Sequence, residues 1–366
     1  MKAIDIINIM NRWAPLYLID SWDSTGFQIG DPNKDIKKIL VSLDLDREAF
    51  EKAKKENIDM IITHHPLLFK PMAKITKEDY KGRLVYDLIK EDIVVYNAHS
   101  NLDLAIGGIN DTLASLLNLR DIEVLEKVYE EKLYKIVVFV PRTHVEEVRN
   151  ALGEAKAGWI GNYSHCTYNI DGIGTFMPRE GTNPFIGSLN KLEKVEETRI
   201  ETIVEKRNLN RVLNEMIKVH PYEEVAYDIY PLENTGAQYG YGRVGNIEEI
   251  PLNRFLDKIK KELRLDKLRV YGDIDRKIKR VALCGGSGSD FIKSAYYKGA
   301  DLYLTGDIKY HDGQLAKELG LLLVDGNHFD TEKIILPVIK EKLLQNIEEY
   351  IDIILYEKST APFVIY

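Results

Sequence analysis

Residues 37–63 have the sequence KKILVSLDLDREAFEKAKKENIDMIIT, which predicts a strand, a helix and a second strand. The segments at 39–43 and 59–63 have the length and apolar character of buried strands, and apolar residues recur at helical spacing over 47–56 between them. Helix and strand patterns go on alternating through about the first 120 residues. Such a series implies a largely parallel sheet covered by helices, so we predict an α/β fold.

The same pattern occurs a second time near the other end of the chain. Residues 279–305 align with residues 37–63 without a gap, with both predicted strands and the helix in register. Each copy is followed by a helix, a strand and a histidine, which is His99 in the first copy and His328 in the second. We interpret this as an internal duplication. The fold prediction is therefore two similar α/β halves, with a ligand cluster where they meet.

The middle of the chain, residues 132–232, has a different pattern. Two β-α-β passes predict a ferredoxin-like α+β domain inserted between the halves. Within it, Asp171-Gly172 joins two strand-like segments and is typical of a type I′ hairpin turn. Four glycines within 236–245 favour a flexible returning linker. The predicted domains are 1–125 and 233–366 for the two halves of the core and 126–232 for the insert.

Bulk composition limits the classes of function. A chain of 366 residues is too long for one typical hydrophobic core. The net charge of −8 argues against a general nucleic-acid binder. Two cysteines cannot form a disulfide framework, which fits a reducing cytosol. Without a signal-peptide pattern or a run of about 18 apolar residues, we expect a cytoplasmic protein with no membrane span.

The dipeptide His64-His65 is the most informative local feature. It directly follows the predicted strand at 59–63, and Pro66 ends the hydrogen-bonding ladder there. Imidazole is the usual protein ligand for zinc, iron and similar borderline metals, and the chain has only eight histidines. Because neighbouring residues on an extended segment point in opposite directions, adjacent histidines suit two metal ions better than one.

Two further patches of ligand-type residues lie at strand ends. His99 and Asp103 come just past the strand predicted at 93–96. His328 and Glu332 follow another apolar strand, and a helix that begins near residue 330 would place them about one turn apart. Sites in open α/β sheets form outside the carboxyl ends of the strands. Three such patches at strand ends therefore predict that their side chains come together in a shared metal site.

Each patch also has a simpler explanation when it is taken alone. His64-His65 suits a structural pair that hydrogen-bonds the backbone, and the other two patches suit helix caps or solvated helix faces. His311 follows a further strand end and is a candidate for orienting a ligand or for catalysis. The run GGSGS at 285–289 suits either an anion-binding nest or a tight turn capped by Ser289.

The motifs THHP at 63–66, NAHSNLD at 97–103 and GNHFDTE at 326–332 together resemble the GTP cyclohydrolase 1 type 2 homologue family, also called the Nif-three-like family. The resemblance covers essentially the whole chain. It implies two divalent metal ions per chain and a ring-shaped homohexamer, and the insert resembles CutA-like and PII-like domains. The metal ligands that the resemblance implies are His64, His65, Asp103, His328 and Glu332, with Glu332 as the bridge between the ions.

Three histidines and two carboxylates suit Zn, Fe, Mn or Co better than Mg or Ca. We predict a metal-dependent hydrolase in which metal-activated water attacks a nucleotide or a related substrate. His99 or His311 would shuttle the protons. The alternative is a non-catalytic metal-binding scaffold or regulator built as a hexamer. Nucleic acid threading the ring is disfavoured by the acidic charge.

Overall fold

A computed structural model describes residues 1–363, and the chain divides into two compact units. The first unit combines residues 1–129 with the residues from 239 onward, and the second spans residues 130–238. The insert predicted from the sequence spans 126–232. That 126–232 folds as an independent domain stays a prediction.

The first segment of the chain alternates helices and strands. Its helices are α1 (Ala3–Trp13), α2 (Arg47–Lys55), α3 (Tyr80–Lys90), α4 (Ser100–Leu104) and α5 (Ile109–Leu116). Its strands are β1 (Gly26–Ile29), β2 (Lys38–Ser42), β3 (Met60–Thr63), β4 (Val94–Asn97) and β5 (Arg120–Glu130). The Asp46 carboxylate accepts from the Ala49 N–H at 2.7 Å, which satisfies an unpaired donor at the start of α2.

The second unit has the connectivity and strand order of a ferredoxin-like fold, as predicted. Its elements are β6 (Leu133–Pro141), α6 (Val145–Glu154), β7 (Thr167–Phe176), β8 (Glu193–Glu205), α7 (Leu209–Val219) and β9 (Tyr227–Pro231). The sheet order is β7-β8-β6-β9, and every neighbouring pair is antiparallel. Apolar residues of both helices pack with those of the sheet in one core.

The hairpin predicted at Asp171-Gly172 is wrong. Both residues lie inside β7, where they pair with Thr198 and Glu197 of β8. The dipeptide favours a turn locally, but ten consecutive cross-strand pairs hold it extended.

The last segment returns to the α/β pattern. Its strands are β10 (Gln238–Pro251), β11 (Arg269–Tyr271), β12 (Lys277–Ser287), β13 (Leu302–Gly306), β14 (Leu322–Asp325) and β15 (Asp352–Leu355). Its helices are α8 (Leu252–Leu263), α9 (Ile292–Tyr297), α10 (Tyr310–Glu318), α11 (His328–Glu332) and α12 (Ile335–Asn346). None of the helices within residues 1–363 is both long and apolar enough to cross a membrane.

The flexible linker predicted at 236–245 is also wrong, because most of that segment belongs to β10. Its glycines serve close packing instead. A Cβ atom on Gly240 would lie 2.0 Å from the Glu126 carbonyl oxygen of β5. Only glycine lets the two backbones approach this closely.

The first unit contains two sheets with matching strand orders, which confirms the two similar halves. One sheet runs β1-β4-β3-β2-β15 and the other β11-β14-β13-β12-β10-β5. The match covers the first four strands of each list: an antiparallel edge strand, β1 or β11, is followed by three mutually parallel strands. Beyond them the sheets differ, because β15 adds a further parallel strand to the first and β10 pairs antiparallel with β12 in the second. One hydrogen-bond pattern repeats as well. The Asp59 carboxylate accepts from the backbone N–H groups of residues 37 and 38, and the Asp301 carboxylate accepts from those of residues 279 and 280.

Candidate metal centre

The predicted ligands lie at the carboxyl ends of the parallel strands, in loops from both halves of the first unit. One pair of histidines follows β3, a second patch follows β4, and the third occupies the short helix α11 after β14. Three groups of side chains bring their ligand atoms within 4.8 Å of one another. The groups are His64 with His65 and His99, His65 with His328 and Glu332, and His64 with Asp103 and Glu332.

Glu332 directs one carboxylate oxygen toward each of two groups. Its Oε2 lies 3.1 Å from His65 Nε2 and 3.2 Å from His328 Nε2. Its Oε1 lies 3.7 Å from His64 Nε2, which is also 3.7 Å from Asp103 Oδ1. A carboxylate that faces two ligand groups has the arrangement of a bridge.

Hydrogen bonds at Nδ1 orient the three imidazoles that face Glu332. The acceptors, 2.7–2.8 Å from Nδ1, are the Ala98 carbonyl oxygen for His64, Asp44 for His65 and Asp307 for His328. Because each Nδ1 donates its proton outward, the Nε2 lone pairs point at one another and at the carboxylates. Such outward partners are typical of metal-ligating histidines.

Three buried atoms of this cluster have no hydrogen-bond partner in the described part of the chain. They are His64 Nε2, Asp103 Oδ1 and Glu332 Oε2. Leaving a buried polar atom unsatisfied costs about 1–3 kcal/mol. A lone pair on Nε2 and a carboxylate oxygen also repel each other at about 3 Å unless positive charge lies between them. The donor set therefore fits metal cations.

The electrostatics of the cluster favour added positive charge. Burial alone would raise the pKa of Glu332, but the neighbouring imidazoles of His64 and His65 hold it well below its usual value. Burial raises the pKa of Asp103 to about 8. Burial alone would lower the pKa of His328, but Glu332 raises it to about 9, and Glu332 and Asp44 together raise that of His65 well above its usual value. Bound divalent cations would supply the positive charge that protons otherwise provide here.

His99, one of the two predicted catalytic residues, lies beside this cluster. Its ring centroid is 5.0 Å from that of His64 and 5.5 Å from that of His65. Its Nδ1 donates to Asp23 Oδ1 at 2.9 Å. Burial alone would raise the pKa of Asp23, but hydrogen bonds from His99 and Ser100 hold it well below its usual value. Asp23 is therefore a carboxylate that fixes the His99 ring.

His311, the other predicted catalytic residue, is exposed on α10 and belongs to none of the three groups. Its Nδ1 lies 2.9 Å from Gln314 Oε1 on the same helix. The structure therefore does not bring His311 together with the other predicted site residues.

Three functional carboxylates were missed from the sequence: Asp23, Asp44 and Asp307. Asp307 directly follows the end of β13 and Asp44 is the second residue after β2, so the strand-end rule that identified the histidines also applies to them. Asp23 lies in a segment without regular structure and has no comparable signal.

The glycine-rich run at 285–289 is not an anion-binding nest. Three of its backbone N–H groups already donate to side-chain oxygens and so are not free for an anion. Gly285 donates to Asn110, Gly286 to Thr331 and Gly288 to Thr305, at 2.9–3.0 Å. The run makes room for the carboxylate instead. Gly286 has a φ of +64°, and a Cβ atom there would lie 2.0 Å from Glu332 Oε1.

Comparisons with known proteins match nearly the whole chain. The sequence model of the Duf34/NIF3 (NGG1p interacting factor 3) family matches residues 1–362. A protein named GTP cyclohydrolase 1 type 2 homolog from Halalkalibacterium halodurans is 46% identical over 339 residues, which are 92% of this chain and 91% of the relative. The protein of the same name from Bacillus subtilis is 43% identical over 362 residues, or 98% of this chain and 97% of the relative.

Solved structures match equally broadly. A Bacillus cereus protein related to NIF3 has a TM-score of 0.91 at 41% identity, covering 100% of this chain and 99% of that one. Staphylococcus aureus protein SA1388 has a TM-score of 0.79 at 28% identity, with the same coverage of both chains. The match to known structures therefore extends over both the core and the insert.

Proposed function

Because the chain belongs to the Duf34/NIF3 family, we propose that it is a metal-dependent hydrolase with a dinuclear centre between the two halves of its core. The observation that carries this proposal is the position of Glu332, which faces two ligand groups and has a buried oxygen that finds no hydrogen-bond partner among residues 1–363. One ion would be held by His65, His328 and Glu332, and the other by His64, Asp103 and Glu332.

The mixed nitrogen and oxygen donors suit zinc, iron, manganese or cobalt. When bound, such ions supply Lewis acidity and lower the pKa of coordinated water toward neutrality. The chain's own contribution is orientation: each ligand imidazole is fixed at Nδ1, and the Asp23 carboxylate fixes His99. With Nδ1 held, His99 would accept and return a proton at Nε2. For His311, a catalytic role stays a prediction that the geometry does not support.

Two exposed aromatic side chains beside His99 support a substrate with a flat apolar part. Trp22 is 57% exposed and Phe69 is 39% exposed, and their rings lie 5.8 Å and 6.3 Å from the His99 ring. Exposed aromatic surfaces of this kind bind planar groups by stacking. A nucleotide, as the relatives' name suggests, is a substrate of this class.

Turnover measurements test the hydrolase. Protein loaded with zinc, manganese or iron would be incubated with GTP, other nucleotides, phosphoesters and amides, and product formation would be measured. We expect metal-dependent turnover that falls at least about 100-fold in His65→Ala, because removing one ligand disrupts the whole reacting centre. His144→Asn changes a histidine of the insert and should keep full activity. A metal-loaded protein inert toward the whole panel would favour the non-catalytic scaffold instead.

The carboxylates behind the histidines should tune metal affinity. Asp307→Asn keeps the shape of the side chain but weakens the acceptor for His328 Nδ1, so we expect zinc to bind about 10–100-fold more weakly. Competition with a chromophoric chelator would measure this affinity. Asp266→Asn, at an exposed position in the same half, is the matched control. Equal affinities in the two variants would contradict the orienting role of Asp307.

We also propose a homohexamer in the cytoplasm, on the family resemblance alone. Sedimentation equilibrium of the purified chain would test the assembly. A monomer or dimer over a wide concentration range would rule out the ring.

A further inference from the structure

The second unit contains a pocket of about 470 Å³, a volume typical of small-molecule sites. It lies beside β7 and β8, and the segment 177–186 that follows β7 supplies part of its wall. The Glu223 carboxylate accepts from the Asn183 N–H at 3.0 Å and so secures this segment. No residue of the candidate metal centre lines the pocket.

Glu197 places a buried carboxylate in the pocket wall. The residue is 9% exposed, and its Oε1 accepts from the Tyr222 hydroxyl at 2.9 Å. Its Oε2 lies over Gly174, where an added Cβ atom would be 2.0 Å away. Within residues 1–363, no lysine or arginine forms an ion pair with Glu197. Burying a carboxylate without a cationic partner costs free energy, and a positively charged ligand in the pocket would reduce that cost.

The neighbouring imidazole does not balance this charge. His220 packs against Tyr222, donates from Nε2 to the Phe139 carbonyl oxygen at 3.0 Å, and accepts at Nδ1 from the Tyr222 N–H at 3.1 Å. Burial lowers the pKa of His220. One ring nitrogen donating and the other accepting is the pattern of a neutral imidazole.

Aromatic rings form much of the remaining wall. The Phe176 ring lies 5.8 Å from that of Tyr222, and the Phe185 ring lies 6.4 Å from it. Phe139 lines the same pocket. The faces of aromatic rings attract cations, and this attraction increases when the cation is removed from water.

The charged residues of the pocket wall favour the same sign of ligand. Three carboxylates, on Glu197, Glu223 and Glu224, line the pocket together with one guanidinium, on Arg179. The Arg179 guanidinium is exposed and donates to the Asn190 side chain at 3.3 Å. The wall is therefore negative overall.

We propose that this pocket binds a small organic cation, with its ammonium group against Glu197 and its apolar body against the aromatic rings. The site is separate from the metal centre, so it would give the insert a ligand-sensing role whether or not the core is an enzyme. Quaternary ammonium ions and protonated primary amines with an apolar substituent match both the carboxylate and the ring faces.

The test uses benzyltrimethylammonium as the probe, titrated into the full-length protein by calorimetry. Benzyl alcohol and benzoate serve as the neutral and anionic counterparts with the same ring. We expect the cation to bind measurably more tightly than either counterpart. Glu197→Gln, which keeps an acceptor for Tyr222 but removes the charge, should weaken cation binding at least about tenfold.

Glu196→Gln is the matched control, since Glu196 is the exposed neighbour on the same strand and pairs with Arg142 at 3.2 Å. Phe185→Ala is a second variant at a 51% exposed residue, so its loss should leave the core folded while weakening binding several-fold. Equal binding of cation and alcohol, preferred binding of benzoate, or no binding of the cation by wild-type protein would each overturn the proposal. The zinc content of each variant would be measured as well. An unchanged zinc content would show that a change in cation binding does not arise from damage to the metal centre.

Discussion

Replacing Glu332 with glutamine is expected to abolish binding of both metal ions of the proposed dinuclear centre. The carboxylate directs one oxygen to each ligand group and is the only residue common to the groups that contain Asp103 and His328. Glutamine has the same shape but is neutral and offers one oxygen, so it cannot serve two cations. Removing a hydrogen-bond partner behind a metal-ligating histidine typically weakens metal binding about 10–100-fold. We expect loss of the carboxylate that serves both groups to weaken it at least about 100-fold.

The matched variant is Asp103→Asn, which changes a ligand of only one group. Elemental analysis after purification without added metal should find about two equivalents per chain in the wild type, about one in Asp103→Asn and close to none in Glu332→Gln. If Glu332→Gln and Asp103→Asn each lost a single equivalent, Glu332 would not bridge the ions. A wild type that stays free of metal even after reconstitution would leave the histidines structural.

The second large effect concerns stability. Arg243 of β10 is almost fully buried, with 3% of its side chain exposed. Its guanidinium donates to both carboxylate oxygens of Asp111 on α5 and to the carbonyl oxygens of Gly240 and Gly242 at 2.8–2.9 Å. This ion pair joins the two segments that build the first unit. Asp111→Ala would leave the guanidinium buried without a counter-charge, and breaking a buried pair in this way costs about 3–5 kcal/mol.

Urea or thermal unfolding of the purified protein would measure this loss. Glu123→Ala is the control, because Glu123 pairs with Arg280 across the same two segments at 3.3 Å but is 54% exposed. Exposed pairs contribute about 0–1 kcal/mol, so this variant should be nearly as stable as the wild type. Similar losses in the two variants would show that burial of Arg243 is not the cause.

Several features of the molecule were predictable because they depend on local order along the chain. The duplicated strand–helix–strand units are visible since buried parallel strands are continuous apolar runs, and the structure repeats them in two sheets that share the order of four strands. The ferredoxin-like topology of the insert follows from its order of strands and helices. His64 and His328 stand out because each follows such a run, at the edge where sites form.

Other features depend on contacts between residues distant in sequence. Asp171-Gly172 favours a turn by itself, but pairing with β8 keeps it extended. Asp44, 21 residues before His65, becomes its acceptor only through the packing of neighbouring strand ends. Gly286 is required because Glu332, 46 positions later, occupies the space of its missing side chain. The order of residues thus established the elements and the type of donor atoms. Long-range packing established which atoms face one another, since distances between strand ends do not follow from separation along the chain.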